Sequence, residues 1–305
     1  MPLHIVTDIP LSGQPTRWDY ASLDPITHHL FLSHLGDDTV TVFDTKRQTV
    51  IANIPDLSQV HGVLFISPLN RVYASATGTN EVVAIDTHTF ELLARIPVGQ
   101  HPDGMAYAPK QRRLFVSDER GGTESVIDVD TNTKVASISL GGEVGNSQYD
   151  PVSGHIFVNL QTAGQLAEID PASDQVVAKT PLPGAQGNHG LFIDSASRLA
   201  FVACSDNNTL MVIDLTQKRV TASFSVARDP DVLAFDGVLG WLYVAGESGE
   251  VSLFKVADHT VTSLGTAWLG PDAHSLAVDP QSHRAYFPLK ALHGKPQLRI
   301  TQPVF

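Results

Sequence analysis

An aromatic residue recurs along this chain at nearly constant intervals. The members of the series are Phe31, Tyr73, Phe115, Phe157, Phe201, Tyr243 and Tyr286, separated by 42, 42, 42, 44, 42 and 43 residues. A period of about 40 residues is typical of a propeller blade, a four-stranded unit that buries its faces only against neighbouring blades. The sequence therefore predicts an all-β fold made by repeating one such unit.

The repeat divides the chain into seven blades of one β-propeller domain, residues 1–305. The predicted blades span residues 17–57, 58–99, 100–142, 143–184, 185–227, 228–270 and 271–305. The last range has no clear outer strand, and the segment from Leu3 to Asp8 can supply one. That pairing would close the ring and leave no exposed sheet edge at the junction.

An aspartate also recurs, at the end of the third strand of five blades. The positions are Asp44, Asp86, Asp128, Asp170 and Asp214. A carboxylate at this place can accept hydrogen bonds from the backbone of the following turn. We therefore expect a structural role for the series.

Charge and cysteine content narrow the possible functions. The formal net charge is −12, and the longest basic stretch is Arg112-Arg113, so binding to nucleic acid is disfavoured. Cys204 is the only cysteine, which excludes an intrachain disulfide. The first residues lack a basic segment followed by an apolar run, and no segment has the length and apolarity of a membrane span. We expect a cytoplasmic monomer that acts on a small molecule.

Several segments resemble the YVTN-type seven-bladed propeller repeat family. The resemblance is carried by residues 98–109, which contain a glycine-proline turn, and by the strands at 113–117 and 125–128. Similar segments occur at 81–87 and 210–214, so the resemblance covers essentially the whole chain. It implies the architecture and leaves the activity open, because propellers of this kind include lactonases, lyases, cofactor-bearing dehydrogenase subunits and binding proteins.

Chemistry is expected where the inner strands begin, because repeat-equivalent positions converge around the central channel. Counting back five residues from the end of each predicted inner strand gives Asp19, Gly62, Asp103, Gly145, His189, Asp231 and His274. Imidazole and carboxylate groups are preferred ligands of transition metals. We predict a divalent ion held by His189, Asp231 and His274, with Zn, Mn or Fe favoured over Ca or Mg.

The same channel mouth contains candidate catalytic and substrate-binding residues. Asp19, His61 and Asp103 are candidates for the general base, and substrate contacts are expected from Arg17, Trp18, Tyr20, Arg120 and Lys290. Structural alternatives stay open for several of them. Asp103 lies in a Pro-Asp-Gly turn, His61 can bond a neighbouring carbonyl, and aspartate and histidine can form networks between blades.

The sequence thus favours a metal-dependent enzyme, a lactonase-like hydrolase or a lyase acting on a small polar substrate. Walker, dinucleotide-binding, Gly-x-Ser-x-Gly and Cys-x-x-Cys motifs are absent from the sequence. The main alternative is a non-catalytic propeller that presents one face to a protein or small ligand. A subunit of a redox or cofactor-bearing assembly is a further alternative.

Overall fold

The computed structural model describes residues 1–304 as seven four-stranded antiparallel sheets. Blade one contains the strands Ala21–Asp24, His29–His34, Thr39–Asp44 and Thr49–Ile54. Blade two contains Val60–Ile66, Arg71–Ala76, Glu81–Asp86 and Leu92–Pro97. Blade three contains Pro102–Ala108, Arg113–Asp118, Thr123–Asp128 and Thr133–Ser139. Blade four contains Val144–Asp150, His155–Leu160, Gln165–Asp170 and Gln175–Pro181. Blade five contains Asn188–Asp194, Leu199–Cys204, Thr209–Asp214 and Arg219–Ser225. Blade six contains Pro230–Asp236, Trp241–Gly246, Glu250–Ala257 and Thr260–Trp268. The predicted seven-bladed, all-β fold is confirmed.

The seventh blade joins the two ends of the chain. Its strands are Ala277–Asp279, Arg284–Leu292 and Lys295–Pro303, and its outer strand is Leu3–Pro10. Arg299 donates two hydrogen bonds of 2.7 Å to the carboxylate of Asp8, so a partly buried bidentate ion pair fixes this strand. The predicted closure of the ring is confirmed.

Helical structure in residues 1–304 is limited to short 3-10 turns. These turns are Leu35–Asp37, Ser67–Leu69, Thr77–Thr79 and Gln161–Ala163. None of the described helices is long and apolar enough to cross a lipid bilayer.

The recurring aromatic residues fill the spaces between blades. Each lies on a second strand and is at most 5% exposed. Phe31 packs with residues of the second blade, such as Val63 and Val83, in one apolar cluster. Because each sheet is covered on both faces by its neighbours, its central strands are apolar on both sides, which explains the regular spacing of large side chains.

The recurring aspartates accept hydrogen bonds from the backbone of the turns that follow them, as predicted. Asp128 accepts hydrogen bonds from the backbone N–H groups of Asp130 and Thr131 at 3.0 and 2.9 Å. The other members do the same for the residues two positions after them. The series is therefore part of the scaffold.

The inner strands of blades two to six start with a bulge. In each, two residues interrupt the pairing with the second strand, as at 103–104 between Pro102 and Met105. In the third blade, this bulge directly follows Pro102, the first residue of the inner strand Pro102–Ala108. The bulged residues are the positions that the repeat predicts to converge, because a bulge redirects side chains away from the normal alternation.

Candidate functional site

A cavity of about 310 Å³ lies at one mouth of the central channel. The residues that line it are Arg17, Asp19, Tyr20, His61, Asp103, Glu119, Gln161, His189, Ser205, Asp229, Pro230, Asp231 and Glu247. One group comes from the entries to the inner strands. A second group, Glu119, Gln161, Ser205 and Glu247, consists of the first residues after four second strands. Two repeat-equivalent series therefore meet around one space.

Three acidic and imidazole groups come close enough to share one cation. One ligand atom each from Asp19, Asp231 and His274 lies within 4.8 Å of the other two. These residues are 2%, 8% and 0% exposed. Carboxylate oxygen and imidazole nitrogen together suit a transition metal, and the three residues come from the first, sixth and seventh blades.

The hydrogen bonding of His274 leaves one ring nitrogen available. Its Nδ1 lies 3.0 Å from the carbonyl oxygen of Asp272, to which it can only donate. In the neutral ring, Nε2 is then the unprotonated nitrogen, which is the form that binds a metal. Within residues 1–304, His274 Nε2 and Asp231 Oδ1 are buried atoms without a hydrogen-bond partner. Both atoms fit an additional ligand.

His189 lies between two carboxylates beside this triad. Its Nε2 is 3.5 Å from Asp103 Oδ2 and 3.5 Å from Asp231 Oδ1. Asn159 Nδ2 donates to the His189 carbonyl oxygen at 2.8 Å and thereby fixes its backbone. The predicted metal ligands thus separate into two positions, because Asp231 and His274 approach Asp19 while His189 bridges Asp231 and Asp103.

Burial and mutual repulsion shift the acidity of the site. Burial raises the pKa of Asp19 to about 6, against the opposing effect of the His61 and Arg17 charges. Burial likewise raises the pKa of Asp103 to about 7, with His189 opposing and Glu119 adding to the shift. For His189, burial lowers the pKa, but Asp231 and Asp103 more than compensate and raise it above 6.5. The carboxyl groups of Asp19 and Asp103 therefore titrate closer to neutral pH than ordinary aspartates do.

Arg17 and Tyr20 both line the cavity. Arg17 Nη1 donates to Glu247 at 2.6 Å, while other nitrogens of its guanidinium lie 3.7 Å from Asp19 and 3.5 Å from Asp231. The Tyr20 hydroxyl donates to Asn146. Tyr20 and Asn146 also line a second space of about 330 Å³ between largely apolar inner strands.

Other predicted site residues lie elsewhere or have structural contacts. Trp18 is 1% exposed and stacks on His34 with the ring centroids 3.8 Å apart, so it packs between the first and last blades. Arg120 and Lys290 are exposed and lie outside the cavity lining. His61 lines the cavity, but its Nδ1 is 2.8 Å from the Gln59 carbonyl oxygen, as its structural alternative requires.

Gln161 and Ser205 are cavity residues that the sequence analysis did not select. They belong with Glu119 and Glu247 to a series spaced by 42, 44 and 42 residues. The signal was therefore present in the repeat. Each of these residues stands four positions after a recurring aromatic residue.

Comparison with known proteins identifies the family. Residues 37–228 match the model of the choice-of-anchor I domain, which covers more than half of the chain, and the chain belongs to this family. No curated protein sequence matches it significantly.

Solved structures share the fold at low sequence identity. Hydrazine synthase of Kuenenia stuttgartiensis is 16% identical over 94% of this chain and 96% of that chain, with a TM-score of 0.82. Virginiamycin B lyase from Staphylococcus aureus is 11% identical over 98% and 99%, with a TM-score of 0.80. The RRP9 WD40 repeats are 10% identical over 98% and 100%, with a TM-score of 0.83. At such identities the likeness concerns the seven-bladed fold alone.

Proposed function

We propose that this member of the choice-of-anchor I family is a metal-dependent enzyme, a hydrolase or lyase that acts on a small polar substrate at the channel mouth. The observation that carries the proposal is the approach of Asp19, Asp231 and His274 to within 4.8 Å of one another. The unpartnered Nε2 of His274 adds to it, because a buried polar atom without a partner is costly unless a ligand satisfies it.

Asp19, Asp231 and His274 would hold a divalent ion, and their mixed oxygen and nitrogen donors favour Zn, Mn or Fe over Ca or Mg. Such an ion supplies Lewis acidity, which polarises a substrate oxygen and acidifies water. Asp19 thereby takes the place among the ligands that the sequence assigns to His189.

His189 is then the group that moves a proton. Its Nε2 can exchange a proton with the carboxylates of Asp103 and Asp231, each 3.5 Å away. The pKa of Asp103 is raised by burial to about 7, so this carboxyl can accept or release a proton at neutral pH. The ion pair with Arg17 orients Glu247, and the hydrogen bond to Asn146 orients the Tyr20 hydroxyl.

One observation favours the non-catalytic alternative. The guanidinium of Arg17 lies near both carboxylates of the triad, so part of their charge is already balanced without an ion. In that case the acidic and imidazole groups would form a structural network between blades. Metal binding separates the two functions.

The test is zinc binding by the purified protein after removal of metal with a chelator. We expect one Zn²⁺ per chain, and we expect His274→Ala and Asp231→Asn to lose it while remaining folded. His88→Ala, which changes an exposed histidine in an outer turn, is the matched control. Lactones and esters are then screened with the loaded protein. A wild-type protein that binds no zinc, manganese or iron would contradict the proposal.

A further inference from the structure

We propose that the substrate of this site carries a protonated primary amine, which Asp103 and Glu119 bind on the side of the cavity across from the metal ligands. This inference deepens the proposed function and rests on it, because the bound amine is a substrate only if the protein is an enzyme. Asp103 and Glu119 both belong to the third blade, whereas Asp19, Asp231 and His274 belong to the first, sixth and seventh.

The lining of the cavity is strongly acidic. Six carboxylate residues line it, namely Asp19, Asp103, Glu119, Asp229, Asp231 and Glu247. Arg17 is the one arginine or lysine among the described lining residues, and Glu247 already binds it at 2.6 Å. A divalent ion together with Arg17 leaves the wall negative. A cationic substrate is therefore attracted and a carboxylate substrate repelled.

Asp103 has a carboxylate oxygen that accepts no hydrogen bond within residues 1–304. Asp103 is 4% exposed, lines the cavity, and its Oδ1 has no hydrogen-bond partner within residues 1–304. His189 approaches only the other oxygen, Oδ2, at 3.5 Å. A buried carboxylate oxygen is strongly stabilised by an N–H donor that carries a positive charge.

Glu119 is held in place to share the same ligand. Gln161 Nε2 donates to Glu119 Oε1 at 3.1 Å, and His101 Nε2 lies 3.2 Å from Oε2. These contacts fix the side chain at the rim above Asp103. Glu119 also contributes to the raised pKa of Asp103, so the two carboxylates lie within electrostatic range.

The small number of aromatic rings in the cavity lining indicates which type of cation fits. Tyr20, His61 and His189 are the aromatic rings among the described lining residues, too few for the cage that binds quaternary ammonium groups. A primary ammonium has three N–H donors, which can reach Asp103 Oδ1 and the remaining acceptor capacity of the Glu119 carboxylate. The volume of about 310 Å³ limits the substrate to a small molecule.

The test compares three ligands of similar shape, butylamine, 1-butanol and butyrate, by NMR titration of the zinc-loaded protein. We expect butylammonium to bind and the other two to bind weakly or not at all. Asp103→Asn and Glu119→Gln should each weaken butylammonium binding about tenfold, the loss of one charge-assisted hydrogen bond. Glu143→Gln, at an exposed position outside the cavity, should leave binding unchanged.

Zinc binding is measured separately, so the two proposals fail in different ways. If zinc binds and butylamine binds no better than 1-butanol, the amine inference is overturned and the metal proposal stands. If butylamine and zinc displace each other, the amine occupies the triad and the assignment to Asp103 and Glu119 is wrong. If zinc does not bind but the Asp103-dependent amine site persists, the metal proposal fails and this inference holds.

Discussion

At the scale of single residues, the channel mouth concentrates acids whose ionisation is opposed by burial. Asp19 and Asp103 are 2% and 4% exposed, and burial raises the pKa of each. Apolar side chains would pack in such positions without this electrostatic cost. Buried ionisable groups that lower stability in this way are typical of functional sites.

Asp103 makes this cost measurable. Its pKa rises from an ordinary value of 3.8 to about 7, so between these pH values the folded state binds a proton that the unfolded state has released. Stability from this group therefore falls as the pH rises through that window, by up to about 4 kcal/mol at about 1.4 kcal/mol per pKa unit. Asp103→Asn removes this titration. In EDTA, we expect the variant to lose less stability than the wild type between pH 4 and pH 7.

Urea unfolding at several pH values checks this prediction. The difference between the free energies of unfolding of variant and wild type should grow with pH and level off above the pKa of Asp103. Glu143→Gln serves as the control for removal of an exposed carboxylate. Parallel pH profiles for wild type and Asp103→Asn would show that Asp103 ionises normally in the folded protein.

At the scale of the strand, glycines in the bulges determine how closely neighbouring blades approach. A Cβ atom on Gly190 would lie 2.0 Å from the carbonyl oxygen of Asp231, and one on Gly62 would lie 2.2 Å from that of Asp103. Each glycine thus touches the backbone of a site residue in the next blade. These contacts set the distance between the bulges of neighbouring blades.

Gly190→Ala tests this role. The added methyl group must push the sixth blade away from the fifth, so we expect a loss of about 1–3 kcal/mol in stability together with weaker zinc binding. Gly237→Ala is the matched control, because its Cβ would meet its nearest neighbour, the Phe235 ring, at an ordinary 3.8 Å. Calorimetric titration with zinc and thermal unfolding check both variants. Equal zinc affinity in wild type and Gly190→Ala would show that the bulge does not determine the geometry of the metal site.

Strand positions could be predicted from the sequence more fully than side-chain contacts. The repeat predicts the seven blades, the ring closure and the meeting of Asp19, Asp103 and Asp231, since these depend on spacing alone. It does not predict which side chains come nearest to one another, because that depends on the local backbone path and the direction of each side chain. The close triad therefore contains Asp19, where the sequence predicts His189. Trp18 shows the same limit, since Asp19 beside it faces the cavity while Trp18 packs in the core.

At the scale of the whole molecule, the candidate site lies across the junction that closes the ring. Asp19 belongs to the first blade and His274 to the seventh, whose outer strand is the N-terminal segment Leu3–Pro10. The ion pair between Asp8 and Arg299 fixes that segment. The geometry of the triad therefore depends on ring closure.

Deleting residues 1–12 is expected to affect both stability and the site. The last strand would become an open edge, and Arg299, 7% exposed, would lose its carboxylate partner. We expect a lower melting temperature for the entire molecule and a parallel loss of zinc affinity. Arg299→Lys, which keeps the charge and loses the bidentate geometry, should give a smaller effect of the same kind. An unchanged melting temperature would show that the ring does not rely on this strand.

The most direct measurement is X-ray absorption spectroscopy of the zinc-loaded protein at the zinc K-edge. A site made by Asp19, Asp231 and His274 predicts a first shell of oxygen and nitrogen with the scattering of a single imidazole, and loss of that imidazole in His274→Ala. A signal from two imidazoles that depends on His189 would restore the ligand set predicted from the sequence. A protein that retains no zinc, or a spectrum unchanged in His274→Ala, would contradict a metal site at the channel mouth.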